Sequence, residues 1–337
     1  MMLSPVLHSL VAIKTLLRSF CCASLLLVFF FPMPAQSAYP DRPIQIIISF
    51  PPAGATDVLT RAIGNQLSRE LGQPVVVENR PGAPPAIGLT AGARATPNGY
   101  TLYLAATSNQ AIAAAVYRDQ AANLIEDFVP IGLVGSVPHA LVVPTILPVK
   151  SIPELIAYIK AKPRAYNFAS QGVGTLSHLE GELFKAQNGL DITHVPYKGS
   201  VQALPDVVNG LSVMMFDSVT GSMPLVKGNK LKILAVASAK RISLLPDVPT
   251  LTEAGAKKSL IAGNMFGLFA PKGVPAEIIS ALSAALERSL KEPKLISTMA
   301  AQGAELTFGT GSELKKVIAD EHQFWLKAVT DAGISPQ

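Results

Sequence analysis

The chain has 337 residues, of which 49% are hydrophobic and 15% charged, enough to bury one large core or two of medium size. Its 25 glycines and 27 prolines are spread along the sequence, which excludes collagen-like repeats and a low-complexity disordered chain. A formal net charge of +5 is too small to indicate a nucleic-acid-binding protein, and we expect no nucleic acid among its partners.

The N-terminus has the layout of a secretory signal peptide. Lys14 and Arg18 precede an apolar run over residues 20–31, and small residues follow at 35–38. The alternative is a membrane anchor, but about a dozen apolar residues fall short of the roughly 20 needed to span a bilayer. We therefore predict a signal peptide over residues 1–38 and a periplasmic mature protein. Its removal takes away two of the 28 basic residues and none of the 23 acidic ones, which lowers the net charge from +5 to +3.

Beyond residue 40, apolar strands alternate with amphipathic helices. In the first part of the chain we predict strands at 44–50, 74–77 and 101–106, and helices at 57–71 and up to residue 95. Strands that alternate with helices in this way are typical of a parallel sheet with right-handed crossovers.

A second unit of the same kind follows. We predict strands at 166–169, 192–195, 213–216 and 231–237, and helices at 151–162, 175–187 and 201–208. The first of these helices begins at a capping box formed by Ser151 and Glu154. A strand at 266–270 is predicted to lead back to the first unit, followed by helices at 275–290 and 312–331, in which Trp325 fits core packing.

Three loops that follow predicted strands combine small residues with hydroxyl or amide side chains. The candidate binding residues are Pro51, Pro52, Ala53, Gly54, Ala55, Thr56 and Asp57 after the first strand, Thr107, Ser108 and Asn109 after the third, and Ser170, Gln171, Gly172, Gly174, Thr175 and Asp217 in the second unit. Ligands of parallel sheets bind beyond the carboxyl ends of the strands. Loops there expose backbone N–H groups at helix starts, where partial positive charge favours an anion.

Several of these residues also fit purely structural roles. Asp57 suits a helix cap or a first helical turn, and Asp217 suits a hinge or a turn. Gly172 and Gly174 match part of a dinucleotide-binding fingerprint, but Ser177 occupies the position of its third glycine. A tight turn between a strand and a helix accounts for the two glycines equally well.

The sequence contains no recognisable catalytic or metal-binding motif. Both cysteines, Cys21 and Cys22, lie in the predicted signal segment, so the mature chain would have neither thiol chemistry nor disulfides. The histidines outside that segment lack metal-ligand spacing: His139, His178, His194 and His322. Neither a G-x-S-x-G elbow nor a P-loop occurs. We therefore expect no enzymatic activity, no metal and no cofactor. Lys198 suits either an anion contact or a solvated loop.

The chain resembles the receptors of the tripartite tricarboxylate transporter family, also called Bug receptors, along nearly all of the predicted mature sequence. The matching runs, in order, are 39–44 (YPDRPI), 50–57 (FPPAGATD), 72–82 (GQPVVVENRPG), 97–101 (PNGYT), 194–200 (HVPYKGS), 215–217 (MFD), 238–241 (SAKR) and 245–250 (LPDVPT).

This resemblance implies a periplasmic-binding-protein-like Venus flytrap, a monomer of two Rossmann-like α/β domains with mostly parallel sheets. The domains would comprise residues 39–140 with 265–337, and residues 141–264, with hinge segments at 141–143 and 267–271. Backbone amides of residues 51–56 and ordered waters would hold a ligand carboxylate, and the loops at 107–109 and 170–175 with Asp217 would complete the cleft. The implied function is an extracytoplasmic receptor that delivers a small carboxylate to membrane permease subunits.

The chain departs from the family pattern at two places. Pro84 and Pro85 replace a Gly-Gly pair, and Pro52 stands where other members often have alanine, so backbone N–H donors are lost. Two other functions share some of these features. A ligand sensor that feeds a membrane signalling partner would have the same sequence features, whereas an exported hydrolase or dinucleotide-linked enzyme would need catalytic groups that we do not find.

Overall fold

The computed structural model describes residues 39–82, 86–117, 121–256 and 263–331. The predicted signal segment with Cys21 and Cys22, and the Pro84–Pro85 pair, lie outside the described residues. In the described part of the chain, none of the helices combines the length and the apolar character that crossing a membrane requires.

The described residues form ten strands and ten helices in an α/β arrangement. The strands are β1 (Ile44–Ile48), β2 (Val75–Asn79), β3 (Thr101–Ala106), β4 (Phe128–Pro144), β5 (Asn167–Ser170), β6 (Thr193–Pro196), β7 (Met214–Ser218), β8 (Leu231–Ala237), β9 (Gly263–Pro271) and β10 (Glu305–Thr310). The helices are α1 (Ala55–Leu71), α2 (Ala86–Ala93), α3 (Thr107–Val116), α4 (Ile152–Lys160), α5 (Leu176–Asn188), α6 (Ser200–Val208), α7 (Val219–Lys227), α8 (Ala276–Leu290), α9 (Pro293–Ala300) and α10 (Gly311–Asp331).

Two parallel groups of strands form the centres of two lobes. In the first lobe, β1 pairs in parallel with β2 and β3, and in the second, β5 pairs in parallel with β6 and β7. The strand order is β2-β1-β3-β9-β4-β7-β5-β6, with β8 and β10 also paired to β4. Both groups therefore have the β-α-β organisation that the sequence predicts. The domain limits predicted at 140/141 and 264/265 stay a prediction.

The long strand β4 connects the lobes. Its residues 128–138 pair with β9 in the first lobe, and its residues 139–144 pair with β8 in the second. The passage from one lobe to the other thus lies at His139, just before the predicted hinge segment 141–143. Residues 267–271, the other predicted hinge segment, pair with β3 and β4 within the first lobe.

Most of β4 was not predicted from the sequence, because its residues are atypical of a strand. Pro130 and Gly135 lie in it, and both types usually weaken or end a strand. The structure accommodates them through register shifts against β9 between Pro130 and Gly132 and between Leu133 and Gly135. The helices α7 and α9 and the strand β10 were also not predicted.

One prediction about the third strand is wrong. We expected Thr107, Ser108 and Asn109 to form a loop, whereas they form the first turn of α3, which begins directly after β3. Thr, Ser and Asn favour both turns and helix starts, and the alanine-rich continuation of this segment decides for the helix.

The cores of the two lobes meet through an apolar cluster. Ile112 and Val116 of α3 and Trp325 of α10 pack with Leu176 and Leu179 of α5. Trp325 is buried, which confirms its predicted core role. The second half of α3 and the first turn of α5 are therefore held close together across the lobes.

Candidate functional site

A cavity lies between the lobes, where loops after β1, β5 and β6 face each other. We call it the cleft cavity, and its lining consists of Phe50, Pro51, Gly54, Ala55, Thr56, Val137, Gln171, Gly199, Ser200, Ser218, Asn264 and Phe266. None of these side chains carries a charge. Polar groups from both lobes and from the long strands therefore converge on one space.

Three helices begin at the cleft cavity. The residues before their first turns are Gly54 for α1, Gly199 for α6 and Ser218 for α7, and Gly54 and Gly199 provide no side-chain cap. Backbone N–H groups in the first turn of a helix have no partner within that helix, and the helix dipole adds partial positive charge there. This convergence suits a small anion without any cationic side chain.

Gly199 allows the second lobe to approach the first. Its φ is +118°, a conformation that side chains disfavour, and a Cβ added there would lie 2.9 Å from Pro51 Cγ across the cleft. The walls of the cleft cavity are therefore in close contact at this point.

Asp57 holds the first-lobe wall in place. Its carboxylate accepts hydrogen bonds from the Ala53 N–H at 3.0 Å, from Asn79 Nδ2 at 2.8 Å and from Arg61 Nε at 2.9 Å. Asn79 Nδ2 also donates to the Phe50 carbonyl at 3.0 Å. Burial alone would raise the pKa of Asp57. These hydrogen bonds and the charge of Arg61 lower it by a larger amount, so the net pKa is below the ordinary value.

Asp217 organises the second-lobe wall. It is fully buried, and its Oδ1 accepts hydrogen bonds from Gln171 Nε2 at 2.7 Å and from Ser200 Oγ at 2.5 Å. Gln171 and Ser200 both line the cleft cavity. Asp217 Oδ2 has no hydrogen-bond partner in the described part of the chain. Burial raises the pKa of Asp217 above its ordinary value, although Ser200, His139 and Gln171 counteract this.

A second cavity adjoins the first on the side of Lys198. We call it the rim cavity, and it is lined by Ser49, Phe50, Pro51, Pro81, Gly82, Gln171, Gly172, Val173, Thr175, Tyr197 and Lys198. It shares Phe50, Pro51 and Gln171 with the cleft cavity. Of the described residues that line the two cavities, Lys198 alone carries a charge.

Some predicted site residues line these cavities and others support them. Those that line a cavity are Pro51, Gly54, Ala55, Thr56, Gln171, Gly172 and Thr175. Those absent from both linings are Pro52, Ala53, Asp57, Thr107, Ser108, Asn109, Ser170, Gly174 and Asp217. The remaining residues that line the cleft cavity were not predicted from the sequence, namely Phe50, Val137, Gly199, Ser200, Ser218, Asn264 and Phe266.

The first turn of α3 is fixed to β9 and α10. Thr107 Oγ1 donates to the Met265 carbonyl at 3.2 Å, and Ser108 Oγ donates to Glu321 Oε1 at 2.5 Å. The Met265 N–H donates back to Ser108 Oγ at 3.3 Å. These buried side chains attach α3 to the rest of the first lobe instead of facing the cleft.

The fold brings together a histidine cluster that sequence spacing does not reveal. His178 and Glu182, one turn apart on α5, lie beside His194 of β6, with one potential ligand atom each within 4.8 Å of the others. The two imidazole rings are stacked, with centroids 4.3 Å apart and an angle of 27° between planes. Nitrogen lone pairs lie in the ring plane, so nearly parallel rings do not point at one ion. Burial, with His178 and Lys185 nearby, lowers the pKa of His194 to about 3.

Comparison with known proteins identifies the family. Residues 59–334 match the tripartite tricarboxylate transporter family receptor. Protein BugT of Bordetella pertussis is 37% identical over 300 residues, which cover 89% of this chain and 92% of that protein.

Two solved structures share the fold. A protein from R. palustris solved with adipate has 32% identity and a TM-score of 0.85, with 89% of this chain and 100% of that chain covered. MatC from Rhodopseudomonas palustris, with bound malate, has 29% identity and a TM-score of 0.81, with 86% of this chain and 100% of that chain covered.

These similarities agree with the two α/β lobes joined by β4. They confirm the predicted periplasmic-binding-protein-like fold of the Venus flytrap type, with two Rossmann-like domains. Members of this family are periplasmic receptors. The chain belongs to the tripartite tricarboxylate transporter receptor family and is a solute-binding receptor.

Proposed function

We propose that this receptor binds a small organic carboxylate in the cleft cavity and passes it to the permease subunits of a tripartite tricarboxylate-type transporter. The observation that carries the proposal is the convergence of uncharged donors on one space. The first turns of α1 and α6, together with Gln171 and Ser200, surround it. Hydrogen bonds from neutral groups compensate a buried carboxylate without a buried cation.

The ligands of two relatives support this chemistry. One relative was solved with adipate and another with malate, both of them small dicarboxylates. In our proposal one carboxylate group lies in the cleft cavity, and a second, where the ligand has one, extends past Phe50 and Pro51 toward Lys198 in the rim cavity. Phe50 and Phe266 then contact the hydrocarbon part.

A thermal-shift screen of the chain from Tyr39 onward tests the binding function. The probes are adipate, malate, citrate and benzoate, with adipamide as the uncharged counterpart of adipate. A probe at about 100 times its dissociation constant adds roughly 2.7 kcal/mol to the unfolding free energy, a rise of several degrees. We expect adipate or another acid to raise the melting temperature and adipamide not to do so.

Matched variants test whether the rise in melting temperature comes from binding in the cleft cavity. The double variant Gln171→Ala/Ser200→Ala should lose the shift, because it removes two polar side chains that line the cleft cavity and hydrogen-bond to Asp217 behind it. Ser280→Ala, at an exposed serine of α8, should keep it. The proposal is wrong if no acid raises the melting temperature, or if the amide and the acid act alike.

Uptake by whole cells tests the transport role. We propose that residues 1–38 direct export to the periplasm, where the mature receptor meets its permease. Cells that lack the receptor gene should lose uptake of the radiolabelled acid, and the full-length chain should restore it. Unchanged uptake in such cells would contradict transport and would favour the alternative role of a ligand sensor.

A further inference from the structure

A closed ring of buried hydrogen bonds lies where β4 passes between the lobes. The Leu176 N–H donates to Asn109 Oδ1 at 2.8 Å, and Asn109 Nδ2 donates to Asn264 Oδ1 at 3.1 Å. Asn264 Nδ2 lies 3.3 Å from His139 Nε2, and His139 Nδ1 lies 2.7 Å from Glu180 Oε2. Leu176 and Glu180 are one turn apart on α5, so the ring begins and ends on the same helix.

The direction of each bond follows from the first donor. A backbone N–H only donates, so the atom of Asn109 that faces Leu176 is the carbonyl oxygen, and its amide nitrogen then donates to Asn264. Asn264 in turn has only its Nδ2 left to face His139, which must accept at Nε2. The proton of neutral His139 therefore lies on Nδ1 and is donated to Glu180.

The ring is shielded from water. Its five members are at most 5% exposed. Hydrogen bonds in such surroundings are strong and hold one arrangement, because no solvent molecule replaces a lost partner. Asn264 is the member that also lines the cleft cavity. The ring uses one N–H and one lone pair of its amide, which leaves one donor and one acceptor for the cavity.

We propose that His139 is a positioning residue that fixes how Asn264 presents its amide to the bound carboxylate, and that Glu180 holds the imidazole ring in place by accepting its Nδ1 proton. The part of this inference that concerns ligand affinity rests on the proposed function. Asn264 then acts as a specificity-determining residue whose remaining N–H donates to a ligand oxygen. His139 acts through Asn264 and is absent from the cavity lining.

Protonation of His139 would break the ring. A second proton on Nε2 would face the N–H of Asn264, and two donors do not bond. The charged groups that face His139 are Glu180 from α5 and Asp217 from β7, whereas α3 and β9 contribute the neutral Asn109 and Asn264. Burial lowers the pKa of His139, but the two carboxylates raise it more, so its net pKa lies above the ordinary value for histidine. Ligand affinity should therefore begin to fall on acidification at a pH above that ordinary value.

Nitrogen NMR of the histidine rings tests the tautomer without any ligand. We expect His139 at about pH 8.5 to carry its proton on Nδ1 in the wild type, with the resonance assigned by its absence in His139→Gln. Glu180→Gln should keep the proton on Nδ1, because Asn264 still donates to Nε2 and the glutamine carbonyl can accept from Nδ1. A ring of His139 protonated on Nε2 alone, or doubly protonated from about pH 6 to pH 8.5, would overturn the inference.

Calorimetry with adipate and malate tests the effect on binding. His139→Leu alone would leave Glu180 buried without a partner, since Glu180 Oε1 already has none in the described residues. The double variant His139→Leu/Glu180→Met removes both polar groups and should keep the fold. We expect its affinity to fall at least about tenfold, as for the loss of a hydrogen bond to a charged group.

A conservative variant and a control complete the experiment. His139→Gln, whose carbonyl can accept from Asn264, should bind within about threefold of the wild type, and His322→Gln should bind as the wild type does. A double variant that melts normally and binds within twofold of the wild type would overturn the inference. If neither acid binds the wild type, the proposed function is contradicted, and the NMR result alone decides about the ring.

Discussion

Each wall of the cleft cavity has an aspartate behind it, and the two aspartates differ in their partners. Asp57 of the first lobe is surrounded by donors, including the guanidinium of Arg61 at 2.9 Å. Asp217 of the second lobe receives two hydrogen bonds on one oxygen from neutral side chains, and its other oxygen has no partner in the described part of the chain.

The difference shows that partners, and not burial alone, decide the charge state. The pKa of Asp57 is lowered because hydrogen bonds and a cation stabilise its ionised form, whereas burial raises the pKa of Asp217. The first-lobe wall is therefore held by an ion pair that persists at neutral pH. The second-lobe wall depends on a carboxyl group that no adjacent lysine or arginine stabilises among the described residues.

The largest loss of ligand affinity is expected from a substitution that keeps the two walls of the cleft cavity apart. Gly199→Val places a side chain against Pro51, where a Cβ alone would lie 2.9 Å from Cγ. We expect adipate affinity to fall at least about 100-fold, since the lobes could no longer close, and calorimetry measures this. Gly189→Val is the matched control, because Gly189 also has a positive φ, +57°, but no atom within 4 Å of an added Cβ. Equal affinities in the two variants would contradict closure at this contact.

The two aspartates can be compared directly by the same substitution. Asp57→Asn turns one oxygen into a donor that faces Ala53, Asn79 or Arg61, and should lower the free energy of unfolding by about 2–3 kcal/mol. Asp217→Asn keeps the oxygen that Gln171 and Ser200 need and removes a buried charge, so the change should stay within about 1 kcal/mol. Urea unfolding at pH 7 measures both. Equal losses would show that the partners do not distinguish the two sites.

Glu321 shows whether the pKa of a buried carboxyl group depends on the lobe in which it lies or on its hydrogen-bond partners. It belongs to the first lobe but, like Asp217, has one buried oxygen without a partner in the described residues. Burial raises its pKa from 4.5 to about 7, although Ser108 and Thr107 lower it. The folded state then binds more protons than the unfolded state between these values, so stability falls as pH rises through this window.

The expected loss from this single group is about 2 kcal/mol between pH 5 and pH 6.5. Glu321→Gln does not titrate and should remove this part of the slope. Melting temperatures of the wild type and the variant across the interval measure it. Parallel curves for the two proteins would show that Glu321 titrates normally.

The smallest change in ligand affinity is expected from a substitution in the rim cavity. Lys198 is exposed, so Lys198→Gln should weaken adipate binding only about two- to fivefold, in line with a surface ion pair. Hexanoate, which lacks the second carboxylate, should bind both proteins equally, and Lys227→Gln serves as an exposed-lysine control. An unchanged adipate affinity would mean that the second carboxylate does not reach Lys198.

Features built from residues that are consecutive in the chain could be predicted from the sequence. The first-lobe wall could be anticipated because β1, the glycine-containing loop and the start of α1 are consecutive, and side-chain periodicity indicates each of them. The capping box was also correctly placed, since Ser151 Oγ accepts from the Glu154 N–H at 3.3 Å. Here the Glu154 side chain accepts from the Lys150 N–H instead of the Ser151 N–H.

What could not be predicted depends on pairing between distant residues. Asn264 and Phe266 reach the cleft cavity because β9 pairs with β3 and β4, far away in sequence. Asn109 was expected at the ligand but binds Asn264 and the Leu176 N–H, which only the contact between α3 and α5 brings near. Ser200 lies in the run 194–200 that carries the family resemblance, and that position could have identified it.

The most direct test of the central claim is a crystal structure of the chain with the acid that gives the largest thermal shift. We predict one carboxylate group in the cleft cavity, within hydrogen-bonding distance of the first-turn amides of α1 and α6, with no cation beside it. A carboxylate bound against a lysine or arginine elsewhere, with the cleft cavity holding only water, would contradict the account.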